Sequence, residues 1–233
     1  FYSLRRQAYD YGRSRTWPRI GQEYWKLFNA KRLPPRIAAK APLSATETIS
    51  NIEVPEPSLD HLRKLTDDTG LYQHAAFTIP NRRYGYCTDD NARAVIAMTR
   101  YYAQYPERQA LKLLDIYLSF IMHSQKSDGS MRNFMNFDRT WQEDEPKSDA
   151  FGRVLWAFGT IMAKPPTPAY LSIVKDYFDR SVGLVQKQLP RGMAYSILGM
   201  CDYLAQFTGA SEIKRQLELA ADGLVTQYEE NRY

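Results

Sequence analysis

The sequence predicts an all-α fold, and three observations carry that prediction. After residue 58, apolar side chains recur at helical spacing in seven successive segments. No segment there alternates apolar and polar residues over a convincing strand length. The connections also alternate in kind. Those before the second and fourth helices are long, aromatic and charged, whereas those after Tyr105, Lys164 and Thr208 are short and carry Pro or Gly. Helices joined this way pack as antiparallel hairpins. The alternation is that of an α/α toroid of the six-hairpin type, in which the long loops and the N-termini of the inner helices gather at one mouth.

The first helix is expected over Leu59–His74. The second runs from Asp89 to Tyr105, where Pro106 closes it, and buries Ala92, Val95, Ile96 and Thr99 at i, i+3, i+4 and i+7. Leu111, Leu114, Leu118, Ile121 and Met122 mark a third. Phe151, Val154, Leu155, Phe158 and Ile161 mark a fourth, stopped by Pro165 and Pro166. Tyr170, Ile173, Val174, Tyr177, Phe178 and Val182 give a fifth, ended by Pro190. Met193, Ile197, Met200, Cys201 and Leu204 give a sixth, followed by Gly209. Ile213, Leu217, Ala220, Ala221 and Leu224 give a seventh. The stretch Ser130–Phe137 reads as a small hairpin or an irregular loop. Seven helices are fewer than a closed six-hairpin ring holds. The chain also stops mid-pattern at Tyr233, so an incomplete ring is expected.

Residues 1–58 read as a basic aromatic arm and linker ahead of a helical domain at 59–233. Ile20, Tyr24, Leu27 and Phe28 share helical spacing, and Pro34, Pro35, Pro42, Pro55 and Pro57 mark an extended connection. Net charge is +5, but it is unevenly placed: residues 1–50 carry ten Lys or Arg against three acids, +7, and the remainder sums to −2. The helical domain is therefore no basic surface, which argues against nucleic acid. Membrane contact by the arm is a lesser expectation. With 44% hydrophobic residues the chain can build a core, and no apolar run reaches the roughly 18 residues of a membrane span. No secretory pattern is visible, which gives a cytoplasmic expectation. Cys87 and Cys201 supply neither a disulfide framework nor metal-ligand spacing. No phosphate loop, nucleophile elbow or zinc motif is present, so no cofactor and no metal are expected.

Two charged clusters stand out. In Cys87-Thr88-Asp89-Asp90-Asn91-Ala92-Arg93, Thr88 reads as an N-cap. Asp89 and Asp90 lie in the first turn, where the helix dipole favours anions. Ser148, Asp149 and Arg153 repeat that arrangement before the fourth helix. Each Arg follows an Asp by three or four residues, the spacing of an ordinary helical ion pair. Adjacent residues on a helix point in different directions, so one of Asp89 and Asp90 is expected to stabilise the helix start and the other to face the mouth.

The surrounding side chains suit a sugar. Tyr84, Tyr86, Phe134, Phe137, Trp141 and Trp156 offer flat faces to a pyranose, while Arg132, Asn133, Asn136 and Arg153 offer hydrogen bonds. Of three histidines only His74 lies near the loop that leads to Asp89. Paired carboxylates are the equipment of glycoside hydrolysis, one as acid and one as base or nucleophile. A helix N-terminus and a nearby Arg93 lower a carboxyl pKa, which suits Asp89 and Asp90 to the base role and leaves Asp149, Asp138 and Glu143 as candidate acids. If the clusters share one site, Trp141 or Tyr86 is expected to wall it.

Leu71-Tyr72-Gln73-His74-Ala75, Thr78-Ile79-Pro80-Asn81-Arg82, Gly85 through Arg93, and Ser148-Asp149 with Gly152, Arg153 and Trp156 resemble a bacterial and archaeal domain found C-terminal to glycosyltransferase modules. That domain is similar to six-hairpin toroid carbohydrate enzymes, and the resemblance spans residues 59–233. It implies a carbohydrate substrate and a covalently linked glycosyltransferase module, with Trp17–Phe28 fitting the last helix of that module. From the two charged clusters, Asp89, Asp90 and Asp149 are the expected catalytic residues. Substrate contacts would fall to His74, Arg82, Tyr86, Arg93, Arg132, Asn133, Asn136, Trp141, Arg153 and Trp156. Two functional expectations follow: a glycoside hydrolase-like domain, or a non-catalytic glycan-binding accessory module of a glycosyltransferase. A toroid epimerase ranks behind both, since it would want more pocket histidines.

Overall fold

The computed structural model describes residues 2–13, 16–30, 56–142 and 149–230. The Pro-rich stretch 33–55, Glu143 and the expected cap Ser148 lie outside the described residues. The chain divides into two compact units, 1–56 and 57–233. The first holds helices α1 (Tyr2–Arg13) and α2 (Trp17–Ala30), the latter covering the apolar spacing around Tyr24.

In the second unit the expected helix over Leu59–His74 shrinks to α3, Asp60–Lys64. The reason is local. Asp67 Oδ1 accepts from the backbone N–H of Thr69 at 2.8 Å and of Gly70 at 3.2 Å, and Thr66 Oγ1 donates to the Leu62 carbonyl. Short polar side chains that bond to nearby backbone offer it an alternative to the helical ladder. There follow β1 (Ala75–Ala76), β2 (Ile79–Pro80), a 3-10 turn at Arg82–Tyr84 and β3 (Tyr86–Cys87). Then come α4 (Thr88–Gln104), α5 (Arg108–Ser124) and β4 (Phe134–Met135). The chain continues with α6 (Asp149–Ala163), α7 (Pro168–Val182), α8 (Pro190–Gln206) and α9 (Ser211–Glu230). Six of the seven expected helices stand where the apolar stripes put them. The 130–137 stretch is no self-contained hairpin: β4 pairs antiparallel with β3, Tyr86 opposite Met135 and Cys87 opposite Phe134.

Helix packing defines the architecture. α4 packs on α5 and α6, α6 on α7 and α8, and α8 on α9. The hairpins α4–α5, α6–α7 and α8–α9 thus stand side by side, with α4, α6 and α8 forming one layer and their partners the other. This is an arc of an α/α toroid. Glycine sets the closest approach. A Cβ on Gly159 would lie 2.5 Å from the Gly199 carbonyl oxygen, and one on Gly199 would lie 2.3 Å from that of Leu155. The two backbones touch, which is why α6 and α8 make the most extensive helix pair. The core runs between the layers through Val95, Leu114, Ile121, Phe158, Ile161, Phe178 and Met200.

Candidate functional site at the N-terminal ends of the inner helices

The start of α4 is built by distant chain. Cys87, extended at φ −133 and ψ 132, is the N-cap, and neither Thr88 nor the aspartates cap it. The hydroxyl of Thr88 instead donates to the Arg132 carbonyl at 2.8 Å. Asn133 does the capping: its Oδ1 accepts from the Asp89 N–H at 3.4 Å and from Cys87 Sγ at 3.2 Å, and its carbonyl accepts from the Thr88 N–H. An orphan amide of the first turn is thus satisfied from outside the helix, which frees both aspartate side chains. Burial, together with the nearby Asp90 and Asp89 charges, pushes the Cys87 thiol up to about 12. That thiol is no nucleophile.

Freed from capping, the aspartates enter an ion network across three helices. Arg93 binds Asp89 Oδ2 at 2.5 Å and lies 3.6 Å from Asp90 Oδ1. Arg153, on α6, does not pair with Asp149 as its spacing suggests. Its Nε meets Asp89 Oδ1 on α4. Both of those atoms are buried and neither has a hydrogen-bond partner, so each relies on the ion pair alone. Asp149 is held by Arg191 on α8 at 2.7 Å. Arg153 also donates through Nη2 to the Tyr195 hydroxyl at 2.9 Å, and its guanidinium carbon lies 4.1 Å from the centre of that ring. α4, α6 and α8 therefore begin at the same end of the arc, and Asp89, Asp90 and Asp149 lie in one cluster.

Burial reverses the electrostatic expectation for the pair. It raises the Asp89 carboxyl, against the opposing charges of Arg153 and Arg93 and with help from Asp149. It also raises Asp90, reinforced by the Asp89 charge and opposed by Arg93, His74 and Arg153. Desolvation outweighs the guanidinium groups because both carboxyls, in the first turn of α4, are only 17% and 27% exposed. Asp138, an expected acid, goes the other way. It is fully exposed, and bonds from the Thr140 hydroxyl and N–H hold it below the usual carboxylate range.

One face of the three helices continues from this cluster. It carries Arg93, Arg100 and Gln104 on α4, Arg153 and Trp156 on α6, and Arg191, Tyr195, Leu198 and Asp202 on α8. Trp156 and Tyr195 stack with centroids 5.8 Å apart and planes 5° from parallel, and Arg100 covers Trp156 at 5.8 Å. Tyr195 and Arg191 escape a reading confined to charged clusters, because α8 opens with Pro190 and carries no carboxylate in its first turn.

Other expected contacts fall elsewhere. Tyr86 is 1% exposed; its ring stacks on Tyr72 and its hydroxyl donates to Asp67 Oδ2 at 2.6 Å. It is a core residue. Burial pulls Asp67 upward, but the hydroxyls of Tyr86 and Tyr72 and two backbone N–H groups win and hold it low. Trp141 lies on the outer side, its indole N–H donating to His123 Nε2 at 3.2 Å and its ring against Phe120, with Arg132 stacked over it. His123 and Arg132 edge a cleft of about 720 Å³ between the outer helices α5 and α7, away from the carboxylates. Asn136 bonds within its own turn, donating to Thr140 Oγ1 and accepting from Gln142. Arg82 stacks over Tyr72 and Phe137. His74 packs edge-on to Tyr84 and is close enough for its charge to act on Asp90. Of the expected contacts, His74, Arg93, Arg153 and Trp156 flank the carboxylates.

No protein-family profile and no curated protein matches the chain. Among solved structures, a polysaccharide lyase is similar at TM-score 0.49 and 16% identity, over 63% of this chain and 50% of the lyase chain. The chain thus spans about half the length of that structure. The arc of hairpins rests on the chain's own packing. Among the described residues no helix is long and apolar enough to cross a membrane, and no group of His, Cys, Asp and Glu is placed to hold a metal ion.

Proposed function

We propose that this chain is a carbohydrate-active domain of glycoside hydrolase type, working at the N-terminal ends of α4, α6 and α8. One observation carries the reading: two largely buried carboxyls at the start of α4, Asp89 and Asp90, share an ion network with α6, and the charge of Asp149, on that other helix, reaches Asp89. Two carboxyls in different surroundings are what acid–base cleavage of a glycosidic bond needs. Asp90, half-buried and free of a short ion pair, is the general acid. Asp149 is the partner carboxylate, as base or nucleophile. Asp89 has both oxygens engaged by arginines and positions Arg93 and Arg153. The Trp156–Tyr195 pair supplies the apolar surface for a sugar ring, and Arg93, Arg153 and His74 supply hydrogen bonds to its hydroxyls. The resemblance of the Thr88–Arg93 run supports a setting beside a glycosyltransferase module.

A second reading has its own support. With Asp89 neutralised by two guanidinium groups and Asp149 by a third, the cluster also fits a non-catalytic glycan-binding module. Incubating the chain with an oligosaccharide panel, read by product release and by calorimetry, separates the two. Turnover that Asp90→Asn abolishes while glycan binding survives supports the hydrolase. Binding without turnover supports the module, and neither signal with any glycan refutes both.

A further inference from the structure

A cavity lies on the same face as the cluster, at the opposite end of the inner helices. It measures about 340 Å³ and is lined by Arg100 and Gln104 of α4, Thr160 and Lys164 of α6 and its exit, and Asp202 of α8. No step of the proposed chemistry uses it. Its polar groups mix donors with an acceptor. Arg100 and Lys164 only donate, an ionised Asp202 only accepts, and the Gln104 amide and the Thr160 hydroxyl do both. A sugar hydroxyl also donates and accepts, so such a lining pairs with a polyol more fully than with a simple anion. The Thr160 hydroxyl donates to the Trp156 carbonyl at 2.9 Å and also lies in hydrogen-bonding reach of Asp202, so it orients that carboxyl in the cavity. Ala103 and Ala163 form the small apolar floor. The terminal carbonyls of α4 and α6 add acceptors at this end.

The cavity is joined to the carboxylate cluster by a continuous row of side chains. Arg153 lies over Tyr195, Tyr195 stacks on Trp156, Arg100 covers Trp156, and the Arg100 charge acts on Asp202. Eleven residues along α4 separate Asp89 from Arg100, a rise of about 16 Å. A ligand that touches both ends is a chain of sugars rather than a single ring.

We infer that the Arg100–Gln104–Asp202 cavity is a distal glycan subsite, and that the inner face recognises an oligosaccharide by its length. The inference rests on the proposed carbohydrate function and names its substrate class as a chain that spans the face from Asp90 to Asp202. Burial also raises the Asp202 carboxyl against the Arg100 charge, which fits a group recessed in a pocket.

Calorimetry of the intact chain with a homologous series, monosaccharide through hexasaccharide, tests this. Arg100 and Gln104 are exposed, so Arg100→Ala with Gln104→Ala leaves the core untouched, and far-UV circular dichroism checks the fold. Affinity of the native chain is expected to rise with length by about tenfold or more, the worth of one or two hydrogen bonds. The double variant should lose most of that rise while binding the shortest ligands as the native chain does. Asp202→Asn should act in the same direction, and Asp90→Asn should abolish turnover yet keep the length dependence. An unchanged length dependence in the double variant overturns the distal subsite and leaves the proposed function standing. So does an equal loss at every length, which would place Arg100 as a support for Trp156. No binding by the native chain at any length overturns the carbohydrate reading and the subsite with it.

Discussion

Replacing Arg153 with Met isolates the contact on which the inner cluster turns. The Arg153 and Asp89 side chains are 13% and 17% exposed, so their ion pair is largely out of water. Removing one partner of a buried pair costs about 3–5 kcal/mol, because the other charge is left uncompensated. Two features of this site reduce that. Arg93 still holds Asp89 Oδ2 at 2.5 Å, and the carboxyl, already raised, can take up a proton. Loss of the bond to Tyr195 restores about 1 kcal/mol to the penalty, so a net destabilisation of about 2–3 kcal/mol is expected at neutral pH. For a chain of this size that lowers Tm by about 4–12 °C. Urea denaturation and calorimetry at neutral pH measure it, and the double variant Asp89→Asn with Arg153→Met closes the cycle. Removing the charge as well as its partner should recover at least half of the loss, because a neutral amide needs no counter-ion. A loss below about 1 kcal/mol, with no relief on adding Asp89→Asn, would show that the pair is solvated and that the cross-helix network is not what fixes the cluster.

Further outcomes follow from the same geometry. Gly159→Ala should destabilise by about 1–3 kcal/mol, although Ala normally gains about 1 kcal/mol over Gly in a helix, because the new methyl meets the Gly199 carbonyl oxygen at 2.5 Å; denaturation that shows a gain in stability would refute the backbone contact. Asp90 has a raised folded pKa, so its favourable contribution is complete below the unfolded value of 3.8 and is lost as pH rises through the folded value. Acidifying from neutral toward that window should therefore relieve a destabilising charge. Asp90→Asn should be more stable than the native chain at neutral pH and gain less on acidification, and equal pH slopes in the two proteins would contradict the burial of this carboxyl.

The sequence alone determined the helices and their order. A recurring apolar stripe says which face of a segment leaves water, and for Thr88–Gln104, Asp149–Ala163 and the helices after them that information sufficed. It also singled out Asp89, Asp90 and Asp149 as candidates, because a carboxylate in a first turn leaves a local signature, but it could not say that they converge. It failed where the competing bond was local but unread, as in Asp67 and Thr66 cutting short the helix expected over Leu59–His74. Only the tertiary structure decided which residues meet. Arg153 stands four residues from Asp149 yet pairs with Asp89, and Tyr86 and Trp141, equally suited on paper to hold a sugar, went to the core and to the outer face. The physical reason is that helical periodicity fixes a residue's direction around its own axis but not the neighbour it will face. That neighbour is set by the register between helices, here by Gly159 and Gly199 letting α6 and α8 touch, and by the remote loop of Arg132 and Asn133 that caps α4. The same burial turned the expected pKa direction of Asp89 and Asp90, since desolvation depends on everything packed around a group and a first-turn position records only its nearest neighbours.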